Sequence, residues 1–323
     1  MIITEIFRNL WQPLKFNVRK GDNVLILTDP MVDPNITQCL FLALWAIEAK
    51  PMLFVIPAPR VNEELPTVAA AAIKEADMLI AATSKPVSRS RAVQDARDRG
   101  IRYLAMGGIT TEALLEGAIT ADFEELYQTT SRFAQILTSG DNVHITTEAG
   151  TDLTFSIKGR KVMALDGRLD DVSKSAGIPS GEAACSPVEG TADGVAVIDG
   201  GMHEVGLIRE PIILKIKDGK VIEIDGGAEA NQLRNLLETT GDSNSYNIGE
   251  FAFGTNPAAR VSDNIQEYKN KLGTIHLALG NNKNLFGNVF SKTHLDAIIL
   301  KPTVTIDGRL ILDTGRIVTS GHE

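Results

Sequence analysis

The chain has 323 residues, 43% apolar and 23% charged, the balance of a globular protein long enough to bury a large core. A formal charge of −9 with no basic cluster argues against a grip on nucleic acid. Two cysteines far apart in sequence, Cys39 and Cys185, exclude a disulfide framework and argue against a cysteine-based zinc site.

The N-terminal stretch MIITEIFRNLWQPLKF has no basic region leading into an apolar stretch with a small-residue cleavage site. The longest apolar run, LFLALWAI, is too short to span a bilayer, so a cytoplasmic location without membrane contact is expected. From there two periods alternate. NVLILT at 23–28 reads as a buried strand and 35–49 as a helix, with Asp33 or Asn35 near its cap. Strands are expected next at 52–56, 78–82 and 101–106, separated by helices at 63–76 and 88–99. Another helix falls at 111–116. Short apolar strands alternating with helices predict βαβ units and a mostly parallel sheet. The turn after the first strand, TDPMVDP, has no G-x-G-x-x-G, so this layer reads as a scaffold that binds no dinucleotide. A long helix at 122–139 links the layer to the second half of the chain.

After Gly140 the texture changes. Strand-like runs occur at 142–147, 152–157, 194–199, 212–217, 220–225, 273–279, 297–300 and 303–306, several separated by turns such as KDGK and IDGR. One helix, at 228–239, interrupts them. The expected organisation is an α/β scaffold domain at 1–139 and a strand-rich α+β domain, built mainly of antiparallel hairpins, at 140–323.

Of five histidines, His322 lies near the C-terminus and His144 sits on a strand, where a structural role is the simpler reading. His203, in the glycine-rich turn GGMHEVG, reads as a surface residue. His276 is the one ionisable residue of the apolar strand GTIHLALG. A lone histidine there would more often be a satisfied core residue than a ligand. In SKTHLDAIIL, however, His294 and Asp296 are two residues apart, and in a strand that spacing points both side chains to one face. Two imidazoles and a carboxylate form a standard donor set for zinc, cobalt, manganese or iron(II). Glu250, in YNIGEFAFGTNP, and Glu182, in the Pro/Ser/Gly-dense GIPSGEAACSPVEG, are further candidate carboxylates. Glu189, in the same stretch, reads as a solvated charge.

The ordered segments GIPSGEAACSPVEGTADG, IGEFAFGTN, GTIHLALG and THLDAII resemble the metallo-aminopeptidases of the aminopeptidase T group. That superfamily also includes ring-cleaving enzymes of the 2,5-dihydroxypyridine dioxygenase kind. The resemblance implies a two-metal centre of zinc, cobalt or manganese. Glu182 would be its bridge, Glu250 and His276 would bind one ion, and His294 and Asp296 the other. Glu182 or Glu250 would relay a proton from an activated water to the leaving amine of a short peptide. The family places a tyrosine soon after the first histidine; here the stretch is LALGNNKNLFG, without one. The alternatives are a mononuclear iron(II) dioxygenase using His276, His294 and Asp296, and a non-catalytic small-molecule binding protein. The resemblance also implies a homodimer or larger assembly. Light scattering at micromolar concentration is expected to give at least twice the mass of one chain, and the mass of a single chain would contradict it.

Overall fold

A computed structural model describes residues 2–169 and 174–318. The chain forms two compact units, Met1–Tyr127 with Leu165–Ser180, and Gln128–Ala164 with Gly181–Glu323. A single boundary at 139/140 does not describe this division, which falls inside the helix Phe123–Ser139. Leu165–Ser180 belongs to the first unit because its strand Ser175–Gly177 pairs in parallel with Arg102–Ala105. Three residues carry too little pattern for a sequence to announce them as a strand.

The first unit is the expected α/β layer. Its parallel sheet has the order Lys50–Val55, Asn23–Thr28, Met78–Ala81, Arg102–Ala105, Ser175–Gly177. The central strand NVLILT is apolar almost throughout because both of its faces are covered. Val24 and Ile26 join a core with Ile36, Leu40 and Leu44, while Leu25 and Leu27 join a separate core with Ile73 and Val93. The helix Pro34–Ala46 begins as the sequence implies: the Asp33 carboxylate accepts from the Asn35 N–H at 2.9 Å, and proline occupies the first turn. The helix Ile2–Asn17 was not expected. It buries Ile6, Leu10 and Leu14, spaced four apart on one face.

The second unit contains two antiparallel sheets, of eight and seven strands. One core serves both: Val143, Ile145, Leu153 and Phe155 come from the larger sheet, Phe251, Phe253, Leu277 and Ile299 from the smaller. The helix Ala228–Thr240 adds Ala230, Leu233 and Leu237. Strand Ile212–Lys217 alternates strictly, with every other residue buried, and turns at Asp218-Gly219, where both φ angles are positive. That geometry suits the twist of a two-residue hairpin and explains the KDGK signal. Among the described residues no helix is long and apolar enough to cross a membrane.

Glu189 is not a solvated charge. Its carboxylate pairs with Arg160 and accepts from Asn282 Nδ2 at 2.9 Å and the Asn288 N–H at 2.8 Å. It thereby ties the loop after strand Glu182–Cys185 to the loop after strand Ile275–Gly280. Burial raises its pKa, but the N–H of Asn288 and the Arg160 and Asn282 side chains overcome this and carry it from 4.5 to about 2. Since the folded pKa lies below the unfolded one, the stabilisation is present above the unfolded value and is lost as pH falls through the folded value. Glu189→Gln is expected to cost about 1–3 kcal/mol at neutral pH in urea unfolding. The difference from the unmodified chain should shrink between pH 4.5 and about 2.

Candidate metal centre

Strands Glu182–Cys185, Ile248–Gly254, Ile275–Gly280 and His294–Ile299 lie side by side in antiparallel register. Strand alternation divides their side chains between two faces. Ala183, Cys185, Phe251, Phe253, Ile275, Leu277, Leu279, Leu295, Ala297 and Ile299 all enter the main core. The opposite face carries Glu182, Glu250, His276, His294 and Asp296, so the structure brings all five candidates together. Asp296 is directly opposite Ala278, which is opposite Glu250; His294 is opposite Gly280, and His276 is opposite Ala252. Small residues between the long ones leave room for the polar groups to converge. Glu182, expected in a loop, opens its strand, and the strand of His294 begins at the histidine itself.

Glu250 owes its orientation to a bulge. Ile248, two residues earlier, is in the core, so plain alternation would bury Glu250 beside it. A register shift between Ile248 and Glu250 places one extra residue, Gly249, in the strand and turns the carboxylate to the other face. A Cβ at Gly249 would lie 2.8 Å from the carbonyl oxygen of Gly280, so a larger residue would push the strands apart.

The polar groups form a ring in which carboxylates and nitrogen bases alternate. Lys269 Nζ is 3.0 Å from Glu182 Oε2, whose neighbour in the ring, His276 Nε2, is 3.3 Å away. His276 Nε2 is 3.4 Å from Glu250 Oε1, and Glu250 Oε2 is 2.9 Å from His294 Nε2. His294 Nε2 is 3.3 Å from Asp296 Oδ1, and Asp296 Oδ2 closes the ring at 2.9 Å from Lys269 Nζ. Burial disfavours charge on Glu250, His294, Asp296 and Lys269, yet the pairing prevails. Glu250 is lowered to about 2 by its pairing with His276 and His294, and His294 is raised to about 10 by its pairing with Asp296 and Glu250. Asp296 lies well below its ordinary value, held there chiefly by Lys269, which is itself raised by Asp296 and Glu182.

The donors suit a divalent ion. Among the described residues two groups of potential ligands occur, Glu182–Glu250–His276 and Glu250–His294–Asp296, with Glu250 common to both. Glu250 therefore takes the shared position that the resemblance gave to Glu182, whose Oε1 accepts from Lys269 at 3.1 Å. His294 Nδ1–H donates to the carbonyl of Asn281 at 2.8 Å, which leaves Nε2 as the ligating atom. Glu182 Oε2, Asp296 Oδ1 and both ring nitrogens of His276 are buried without a well-aligned hydrogen bond. Each such atom costs about 1–3 kcal/mol unless something satisfies it, and coordination to a metal does so.

Two residues of the site escaped the sequence reading. Lys269, in EYKNK, looks like part of a solvated charge run; only the fold shows that it is buried. His203 is not a surface residue: Met202 pairs with Ala297, and His203 Nδ1 accepts from the Asp296 N–H at 3.4 Å. Burial lowers its pKa, consistent with a neutral ring. His144 pairs with Asp152 at 2.8 Å, away from the site, and His322 lies outside the described residues. The Asn281 and Asn282 amides are committed elsewhere, to Asn284 Oδ1 and to Ser186 Oγ and Glu189. They are poor replacements for the absent tyrosine hydroxyl. Glu250→Gln is expected to weaken cobalt(II) binding in calorimetric titration by more than the roughly 10–100-fold typical of losing an outer partner. His294→Ala and Asp296→Ala should do the same with helical circular dichroism retained; loss of that signal would mark the residues as structural.

The comparisons with known proteins agree with this architecture. The solved structure of the 2,5-dihydroxypyridine dioxygenase from Pseudomonas putida KT2440 superposes with a TM-score of 0.81 at 20% identity, over 98% of this chain and 96% of that one. Wild-type AmpT from Thermus thermophilus superposes with a TM-score of 0.70 at 17% identity, over 98% and 99%. Both share the fold. The curated 2,5-dihydroxypyridine 5,6-dioxygenase of P. putida KT2440 is 24% identical over 195 residues, 57% of this chain and 56% of that protein, so this match spans little more than half the relative's length. The family model described as NicX: 2,5-dihydroxypyridine 5,6-dioxygenase matches residues 3–319. With nearly its whole length matched, the chain belongs to the 2,5-dihydroxypyridine 5,6-dioxygenase family.

Proposed function

We propose that the chain is a ring-cleaving dioxygenase that uses one iron(II) ion on a small hydroxylated nitrogen heterocycle of the dihydroxypyridine type. The observation that carries this reading is the family match across residues 3–319, joined to a buried ring that holds two imidazoles among three carboxylates. It takes precedence over the aminopeptidase expected from the motifs.

His276, His294 and Asp296 would supply the two-histidine, one-carboxylate set that suits iron(II) and leaves coordination positions open; the two imidazoles belong to separate donor groups joined through Glu250. Bound there, iron(II) would supply the one-electron chemistry that lets dioxygen react with a closed-shell ring. The residues of the chain handle position and protons. Asn281 fixes the His294 ring through its Nδ1–H. The apolar core beneath the sheet keeps water from the ligands on that side. A substrate hydroxyl must lose its proton as the ring becomes electron-rich, and a carboxylate of the site is the acceptor. Glu182 fits by position: its Oε2 makes no well-aligned hydrogen bond, and its contacts there are the ion pairs with Lys269 at 3.0 Å and His276 at 3.3 Å.

A two-metal aminopeptidase is the second reading. It is favoured by Glu250, which offers one oxygen toward each imidazole, and opposed by the missing family tyrosine, with the Asn281 and Asn282 amides already hydrogen-bonded elsewhere. Losing an oxyanion donor costs roughly 3–4 kcal/mol of transition-state stabilisation. Protein loaded anaerobically with iron(II) is expected to consume oxygen when mixed with 2,5-dihydroxypyridine, and to leave aminoacyl amides intact when loaded with zinc or cobalt. Hydrolysis without oxygen uptake would overturn the proposal in favour of the peptidase. Inactivity in both assays would favour the binding protein.

A further inference from the structure

We propose that Lys269 is an internal cation that supplies the charge a second divalent ion would bring, and so limits the centre to one metal. The inference rests on the mononuclear reading above and assigns a residue that sets it. Lys269 comes directly after the short helix Ile265–Tyr268 and is buried. Its ammonium contacts two carboxylates that come from different strands. Nζ is 3.1 Å from Glu182 Oε1, 3.0 Å from Glu182 Oε2 and 2.9 Å from Asp296 Oδ2. Those two residues belong to different groups of potential ligands, so the ammonium links the two halves of the donor set.

The charges of the site point the same way. Glu182, Glu250 and Asp296 bring three negative charges, Lys269 returns one, and the two that remain equal the charge of a single divalent ion. A second ion beside the ammonium would leave a buried excess of two positive charges, with no further carboxylate in the ring to offset it. Without Lys269 the same count is −1 with one ion and +1 with two, so a second ion no longer meets the excess of two positive charges that opposes it. The residue is a positioning group: it holds Glu182 and Asp296 in place and has no contact with reacting atoms that the structure shows.

Metal stoichiometry tests this directly. The unmodified protein, titrated with cobalt(II) and followed by metal analysis after gel filtration, is expected to saturate at one ion per chain. Lys269→Ala should saturate at two, and Lys269→Arg, which keeps a cation, at one. Lys269→Gln, closer to lysine in length, guards against collapse of the alanine variant. One ion in the unmodified protein and still one in the folded neutral variants would overturn the role of Lys269 alone. Two ions in the unmodified protein would instead overturn the mononuclear reading. If both neutral variants stay unfolded even with excess cobalt(II), a divalent ion cannot replace the ammonium and the inference fails.

Discussion

Three carboxylates share one buried face of a β-sheet, and the rest of the second unit is arranged around making that tolerable. Removing a carboxylate from water costs several kcal/mol even after the protein relaxes, and placing three within contact of the same bases adds mutual repulsion. The alternating ring of Lys269, Glu182, His276, Glu250, His294 and Asp296 offsets both. Every carboxylate lies between two nitrogen bases, and no two carboxylates are adjacent around the ring. The shifts of Glu250 to about 2 and His294 to about 10 express the same fact in protonation terms. Such a ring is a site poised to exchange imidazole protons for a metal ion.

The sheet makes the ring possible because its two faces do opposite work. Below it, phenylalanines and aliphatic residues form one continuous core with the larger sheet, which fixes the strand spacing and register. Above it, Ala252, Ala278 and Gly280 lie opposite ligands, while Ile298 packs with Ile265 and Tyr268. The Gly249 bulge joins the two requirements in one strand, letting Ile248 enter the core and Glu250 enter the site. Ligands held on strands whose other face is close-packed have little freedom to drift, which a metal centre demands.

The fold alone does not choose a chemistry, since it is shared with structures named as a dioxygenase and as AmpT. The choice falls to side chains that the backbone tolerates equally well in several forms. Here these include an ammonium bridging two ligand groups, a shared glutamate between two imidazoles, and asparagines already committed to loop contacts. Glu189 belongs with them indirectly: by holding the loop that carries Asn282, it steadies the segment whose Asn281 carbonyl orients His294.

The sequence by itself determined the two textures of the chain, most of the parallel layer's strands and helices, and the convergence of His294 and Asp296. Each of these is written in local periodicity, in apolar runs, turn residues and i, i+2 spacing, and local geometry is what a linear pattern encodes. The ordered motifs carried Glu182, Glu250 and His276 to the same centre by resemblance. The tertiary structure alone decided that Leu165–Ser180 joins the first unit, that a bulge redirects Glu250, and that His203 and Lys269 reach Asp296. Lys269 and Glu189 sit among charged or loop-forming neighbours, and sequence texture assigns both to solvent. Their partners lie tens of residues away, and only the pairing of distant strands and loops brings buried opposite charges within reach of them.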